Sequence, residues 1–472
     1  GSYFQDVPLV EMRRDRDPVL EIANGGAVER LTLDKDFVAF AGGARNEVAL
    51  AGLPVVFVGF GVTAPEQGWD DYAGVDVRGK VVVALRGEPS APGDDPAFFK
   101  GRELTRHGIQ PTKYDNAAAH GARGVILIHT EKSAGYPWSV LTGGGVSAAQ
   151  QFIDDGKGEP KLDLVMHVNE DMAKRLFQSA DMSFDTLAQQ ANVKGFRAVA
   201  LPQRVNATYS SQMRRLKSKN VVATIKGAGA ADECVVYTAH WDHLGRNGKL
   251  KGDQIFNGAV DNATGTAALL ELAQAYAKLS GPPRRSVVFV ATTAEEKGLL
   301  GGEYHAGHPA CPLAKTAAVM NLDAHFPFGA FDAMTVPGLG SSELEGIFAK
   351  AAARLGRVLQ PDSEPQAGAY YRSDHYPFAK RGVPAIFAVG SPRDTGALDE
   401  KDPVIARFVD YVTTKYHKVA DEYDAKTWDL AGVEGDARVY FEAGLSIAND
   451  MRFPNWLPGN EFRKLRDDQR RN

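Results

Sequence analysis

The sequence predicts an α/β fold: a mixed central sheet flanked by helices, with a β-rich module inserted into it. Three observations carry this. Apolar runs of strand length alternate with helical stretches after about residue 220. Charged residues recur just past the carboxyl ends of those runs, where open α/β sheets collect their ligands. Between about residues 45 and 205 the pattern changes to short apolar runs separated by turns rich in Gly, Pro and Asp.

In chain order, the inserted region holds PVVFVGFG, KVVVALRG, GVILIH and LDLVMHV as strands. Lys113 to His120 is its packed helix, ended by Gly121. The basic cluster Arg214, Arg215, Lys217 and Lys219 then reads as a solvated linker re-entering the main domain. Beyond it, ECVVYTA, RSVVFVATT, TAAVMNL and PAIFAV are the candidate strands of the main sheet. DNATGTAALLELAQAYAKL is a helix with Asn262 or Thr264 near its cap, stopped by Gly281, Pro282 and Pro283. The pattern thus sets off a β-rich module over 45–205 from the flanking stretches 1–44 and 206–472.

The charged residues at the strand ends form an ordered set: His240 and Asp242, Asp261, Glu295 and Glu296, Asp323, then His417. Any one acid taken alone is more simply a helix cap or a solvated loop residue. Gathering all of them would cost several kcal/mol apiece, about, unless cations paired them. Zinc accepts nitrogen and oxygen ligands, and two ions about 3.5 to 4 Å apart clamp both an attacking water and a carbonyl oxygen. Two dications against three carboxylates and one hydroxide leave such a site near neutral. Adjacent Glu295 and Glu296, if extended, point in opposite directions, so one binds metal and the other moves protons. Asp242 is placed to accept the free ring N–H of His240 and fix its tautomer.

The blocks HWDHLG, NGAVDNATG, TTAEEKGLLG, NLD, YRSDHYPFAKRGVPAIF and YHKVADEYD, in that order, resemble those of the co-catalytic di-zinc exopeptidases. That family includes bacterial leucine aminopeptidases, glutamate carboxypeptidase and the transferrin receptor ectodomain. The resemblance covers about residues 235 to 425 and implies a zinc-exopeptidase fold and two zinc ions. It implies that His240 and Asp323 hold one zinc, that Glu296 and His417 hold the other, that Asp261 bridges them and that Glu295 is the general base. Tyr370 resembles the oxyanion-side tyrosine of the family, with Tyr371 beside it as the alternative. RGKVVVALRG through KYDNAAAHGARGVILIH resembles a protease-associated domain, which the family often carries as an insertion. The resemblance thus implies a discontinuous peptidase domain, 1–44 with 206–472, and an insert over 45–205 that is either a wall for the cleft or a passive scaffold.

Of the eleven histidines the resemblance uses two. It puts His243 and His375 around the ligands or along the pocket, not on the metal. His325, close to Asp323, is expected near substrate, and His305 and His308 are expected in surface or packing roles. His107, His120, His129 and His167 lie in the inserted region.

Composition narrows the partners. With 54 basic and 59 acidic residues the chain lacks the electrostatic footprint of a nucleic-acid binder, and no apolar run is long enough to span a membrane. Peptide substrates are expected. Cys234 and Cys311 form no disulfide framework, and a single bridge between them is open. The opening GSYFQDVPLV resembles an internal block of periplasmic bacterial members, which favours an exported protein whose signal peptide is already gone. Gly1 and Ser2 read equally well as a cloning scar.

The expected reaction is removal of amino-terminal residues from peptides. The alternatives are a carboxypeptidase, a glutaminyl cyclase or a metal-free binding ectodomain. A binding module has no use for Glu295, whereas hydrolysis requires a base beside the activated water.

Overall fold

A computed structural model describes residues 2–90, 93, 95–142, 149–154, 162–394 and 401–471. Gly1 lies outside them. The chain divides into two compact units, the first from Gly1–Val7, Lys217–Ser363 and Ala369–Asn472, the second from Pro8–Leu216 and Glu364–Gly368.

In the first unit the predicted strands form where the valine-rich runs lie. Ala230–His240 sits between Arg285–Thr292 and Thr316–Asn321, parallel to both, and Thr316–Asn321 pairs in parallel with Ala385–Phe387. Val221 to Ile225 add an antiparallel strand beside Arg285–Thr292. Arg285–Thr292 and Thr316–Asn321 are buried almost throughout, as expected of strands covered on both faces. Leu269, Leu272 and Tyr276 of the helix Gly265–Ala277 pack on Val235, Tyr237 and Phe289, together with Tyr440 and Ile447 of the helix Ala431–Asn449. Each such apolar side chain stabilises the fold by about 2 kcal/mol.

Register decides where the charged residues meet. His240 lies opposite Thr292, and Thr238 lies opposite Asn321, so two strands end together, the third ends two residues earlier, and the residues that follow all three leave from one edge. The predicted helix begins regularly only at Gly265, because Asp261 and Asn262 have non-helical backbones inside a wider preceding turn, Ala259–Thr264. Asn262 is the cap: its Oδ1 accepts the Gly265 N–H at 3.0 Å. Cys234 and Cys311 are joined by a disulfide.

The second unit contains all four strands read from the insert, with Val81–Leu85, Gly124–His129 and Leu164–Asn169 parallel to one another. Its helix Gln110–Ala119 starts at a Pro-bearing first turn and ends before Gly121, whose φ is +82°. Residues 8–44, expected with the main domain, pack here instead. Val19–Asn24 pairs with Arg204 to Thr208, and Phe37–Ala41 pairs with Leu164–Asn169. The basic cluster is exposed and marks the crossing between the units, which divide at Leu216 and Lys217; it is extended, not a loop, within the long strand Val199–Ile225, where Arg214 meets Glu11 and Arg215 meets Asp154.

Candidate metal centre

His240 ends its strand 2 % exposed. Its Nε2 is 3.2 Å from Asp261 Oδ1 and 3.2 Å from Asp323 Oδ1. Asp261 turns its other oxygen, Oδ2, to His417 Nε2 at 3.1 Å. Glu296 completes that side, with Oε2 3.4 Å from His417 Nε2. The five expected ligands thus converge, with Asp261 in the middle presenting one oxygen to each side. Ligand atoms of His240, Asp261 and Asp323 lie mutually close enough to hold one cation.

The local sequence explains the placement. Asp261 is held through its backbone: Asp421, 1 % exposed, accepts the N–H of Val260 at 2.9 Å and that of Asp261 at 3.1 Å. Asn262 donates to the Leu322 carbonyl and accepts from Ala324 N–H, tying the Asp261 turn to the segment that carries Asp323. Ser373 donates to Asp323 Oδ2 and accepts from Asn321, so the second oxygen of that acid is oriented as well. Glu295 and Glu296 lie in a short 3-10 turn after Ala294, whose φ is +54°. They diverge because of that turn, not because the segment is extended.

One expected contact differs. The ring Nδ1 of His240 meets the backbone carbonyl of Asp242 at 3.0 Å, while the Asp242 carboxylate lies 3.9 Å from it. That carboxylate instead accepts the backbone N–H of Glu295 at 2.9 Å and of Glu296 at 3.4 Å. Asp242 therefore orients the glutamate turn with its side chain and the histidine with its main chain, because the two strand ends lie side by side.

The remaining assignments separate. Tyr370 is 8 % exposed in the turn Ala369–Tyr371, its ring 4.6 Å from that of His375. Tyr371 donates its hydroxyl to Glu461 at 2.7 Å, which leaves Tyr370 as the better candidate of the pair. His375 is fully buried, and burial pushes its pKa down to about 3. His325 is fully buried with Nδ1 2.7 Å from Asp436, which also pairs with Arg357. His305 is buried against Gln5, and His308 stacks on Tyr304.

The electrostatics fit cations. Burial pushes Glu295 well above the usual carboxylate range, and Glu296, Asp323 and Asp374 add to the push, against His240. Burial also raises Asp374, to about 7. For Asp261 the effect of burial is outweighed by His240 and His417, which hold it low. Burial disfavours protonation of His240, yet Asp323, Glu295 and Asp261 raise it well above its usual value. So many acids share so few positive charges that divalent cations suit the donor set, and imidazole with carboxylate is zinc chemistry.

Asp421 was not singled out from the sequence, although it lies four residues after His417 in the same block. Its role is to hold a backbone turn, which leaves no spacing to read.

The model of peptidase family M28 matches residues 220–441. A probable glutamate carboxypeptidase of Arabidopsis thaliana is 32 % identical over 163 residues, 34 % of this chain and 20 % of that protein. A probable zinc metalloprotease of Pyrenophora teres is 38 % identical over 104 residues, 22 % of each chain. The matched stretch spans about a fifth of the length of these relatives. Among solved structures, an aminopeptidase from Aneurinibacillus sp. strain AM-1 superposes with a TM-score of 0.51 at 20 % identity, over 95 % of this chain and 85 % of that one, a likeness of fold.

Proposed function

Residues 220–441 belong to peptidase family M28, a zinc metallopeptidase family, and from that premise we propose that this chain is a di-zinc exopeptidase that removes amino-terminal residues from peptides. The observation that carries the two-ion reading is the split carboxylate of Asp261, one oxygen toward His240 and the other toward His417. His240 and Asp323 hold one ion, Glu296 and His417 the other, with Asp261 between. Bound there, the ions supply Lewis acidity that lowers the pKa of water and polarises the scissile carbonyl. Glu295 accepts the proton of the attacking water and returns it to the leaving amine, a task suited to a carboxylate whose pKa burial has raised. Tyr370 donates to the carbonyl oxygen as it gains charge.

Two features support the amino-terminal polarity. Glu296 and Asp323 offer carboxylates to a free substrate amine. A carboxyl terminus calls for convergent cations, and of the candidates Arg372, Arg381 and Arg393, Arg381 pairs with Glu303 at 2.9 Å and Arg393 with Asp332 at 3.1 Å. The carboxypeptidase alternative rests on Arg372, whose charge is felt at His417. The test is hydrolysis of Leu-Gly-Gly beside its amino-acetylated form by the zinc-loaded protein. Equal rates sink the aminopeptidase reading, and zinc content well short of two per chain sinks the two-ion reading.

We further propose that the second unit is a protease-associated-like module and that the protein works outside the cytoplasm. The Cys234–Cys311 disulfide supports the second point, since such bonds persist in oxidising compartments.

A further inference from the structure

We propose that His243 is a third imidazole ligand of this centre, bound to the ion that Glu296 and His417 share, so that the two metal positions are unequal by design. The inference rests on the two-zinc reading above and adds to it a residue which the family pattern leaves off the metal.

His243 lies three residues past His240 in the HWDHLG block, its side chain only 6 % exposed. Its Nδ1 is 2.7 Å from Glu296 Oε1, close enough for a hydrogen bond, yet the ring is not aligned for one. Both ring nitrogens and that glutamate oxygen are buried without a hydrogen-bond partner. A buried imidazole with neither nitrogen satisfied costs about 1–3 kcal/mol for each unmet group, unless something outside the hydrogen-bond inventory completes it. A cation does so, because nitrogen and oxygen lone pairs then converge on a shared centre. Ligand atoms of His243, Asp261 and Glu296 all lie within 4.8 Å of one another, a grouping that could hold an ion.

The ring is held in place by packing. Gly258 has φ +63°, and a Cβ there would fall 2.6 Å from His243 Cγ, so the imidazole fills the space left by the missing side chain. His417, by contrast, is 27 % exposed and sits at φ +57° on a loop. The ring centroids of His243 and His417 are 5.7 Å apart and steeply inclined, which lets both face the Asp261–Glu296 side. One position then has one imidazole and two carboxylates, from His240, Asp261 and Asp323. The other has two imidazoles and two carboxylates, from His243, His417, Asp261 and Glu296. The richer position holds zinc more tightly, and the poorer one keeps coordination free for substrate.

The test begins with zinc content, then X-ray absorption at the zinc edge of the fully loaded wild-type protein. Three imidazoles over two ions give about 1.5 per zinc, against about 1.0 if only His240 and His417 bind. In His243→Gln, which keeps a polar side chain of similar size, the count falls to about 1.0. Chelator competition then shows one dissociation constant raised by about 100-fold or more, beyond the 10–100-fold typical of a group that only orients a ligand, and the other little changed. Thermal melting of the zinc-free variant separates loss of the ligand from loss of the fold, and the wild-type count needs no variant at all. A count near 1.0 in wild-type protein that holds two zincs overturns the role of His243 and leaves the two-ion reading intact. Failure to hold two zincs overturns the two-ion reading itself.

Discussion

Replacing Asp421 with alanine tests how far a residue that touches no reacting group governs the centre. Its carboxylate accepts two buried backbone N–H groups, of Val260 and Asp261, and the hydroxyl of Tyr411 at 3.2 Å. A hydrogen bond to a charged acceptor contributes about 1.5–3 kcal/mol, so the two N–H groups alone account for about 3–6 kcal/mol. Against this stands the cost of burying the carboxylate, which is real: burial raises its pKa, and the nearby Asp261 raises it further, despite the two N–H donors. The net loss expected is about 3 kcal/mol for the zinc-free protein, read from the shift of the urea midpoint. Zinc affinity should fall by about 10–100-fold, because the Asp261 turn loses its anchor. Asp421→Asn, which keeps one acceptor oxygen, should lose less than half as much stability. If alanine leaves the midpoint within about 0.5 kcal/mol of wild type, the turn is held by something else and the reasoning fails.

Glu295→Gln should retain its zinc and lose about 10²–10⁴-fold in turnover, because the amide keeps the shape and cannot accept a proton; near-normal rates with zinc intact would remove Glu295 as the base. The buried His305 has its pKa pushed down to about 4 by burial. Its unfolded form binds a proton near pH 6.5, so stability is full above that value and declines as the pH drops toward 4. In zinc-free protein this one residue should cost about 2 kcal/mol between about pH 7.5 and about pH 5, and His305→Gln should lose that much less over the same interval. Replacing both Cys234 and Cys311 with serine opens a loop of 77 residues and should lower stability by about 4.5 kcal/mol on the loop-entropy model. An unchanged unfolding midpoint after full reduction would count against the bridge as a stabilising element.

The amino-acid sequence alone determined where the main strands run and which residues stand at their ends, since an apolar run and the charge that closes it are local features. His240, Asp261, Glu296, Asp323 and His417 were legible for that reason: each follows an apolar run or lies in a recognisable block, and parallel pairing brings the strand ends to one edge. What depended on long-range pairing was not legible. Residues 8–44 join the second unit because their strands find partners there. By spacing Asp242 suits His240, yet its carboxylate turns to the Glu295 and Glu296 N–H groups, a choice made by how closely two strand ends approach. His325 follows Asp323 by two residues but is drawn into a buried pairing with Asp436, 111 positions away. His243 looked like one more histidine within a motif until tertiary packing against Gly258 brought it to Glu296 with its nitrogens unmet. Sequence spacing specifies which groups can share a strand end or a turn; only the packed chain decides the direction in which each side chain leaves it.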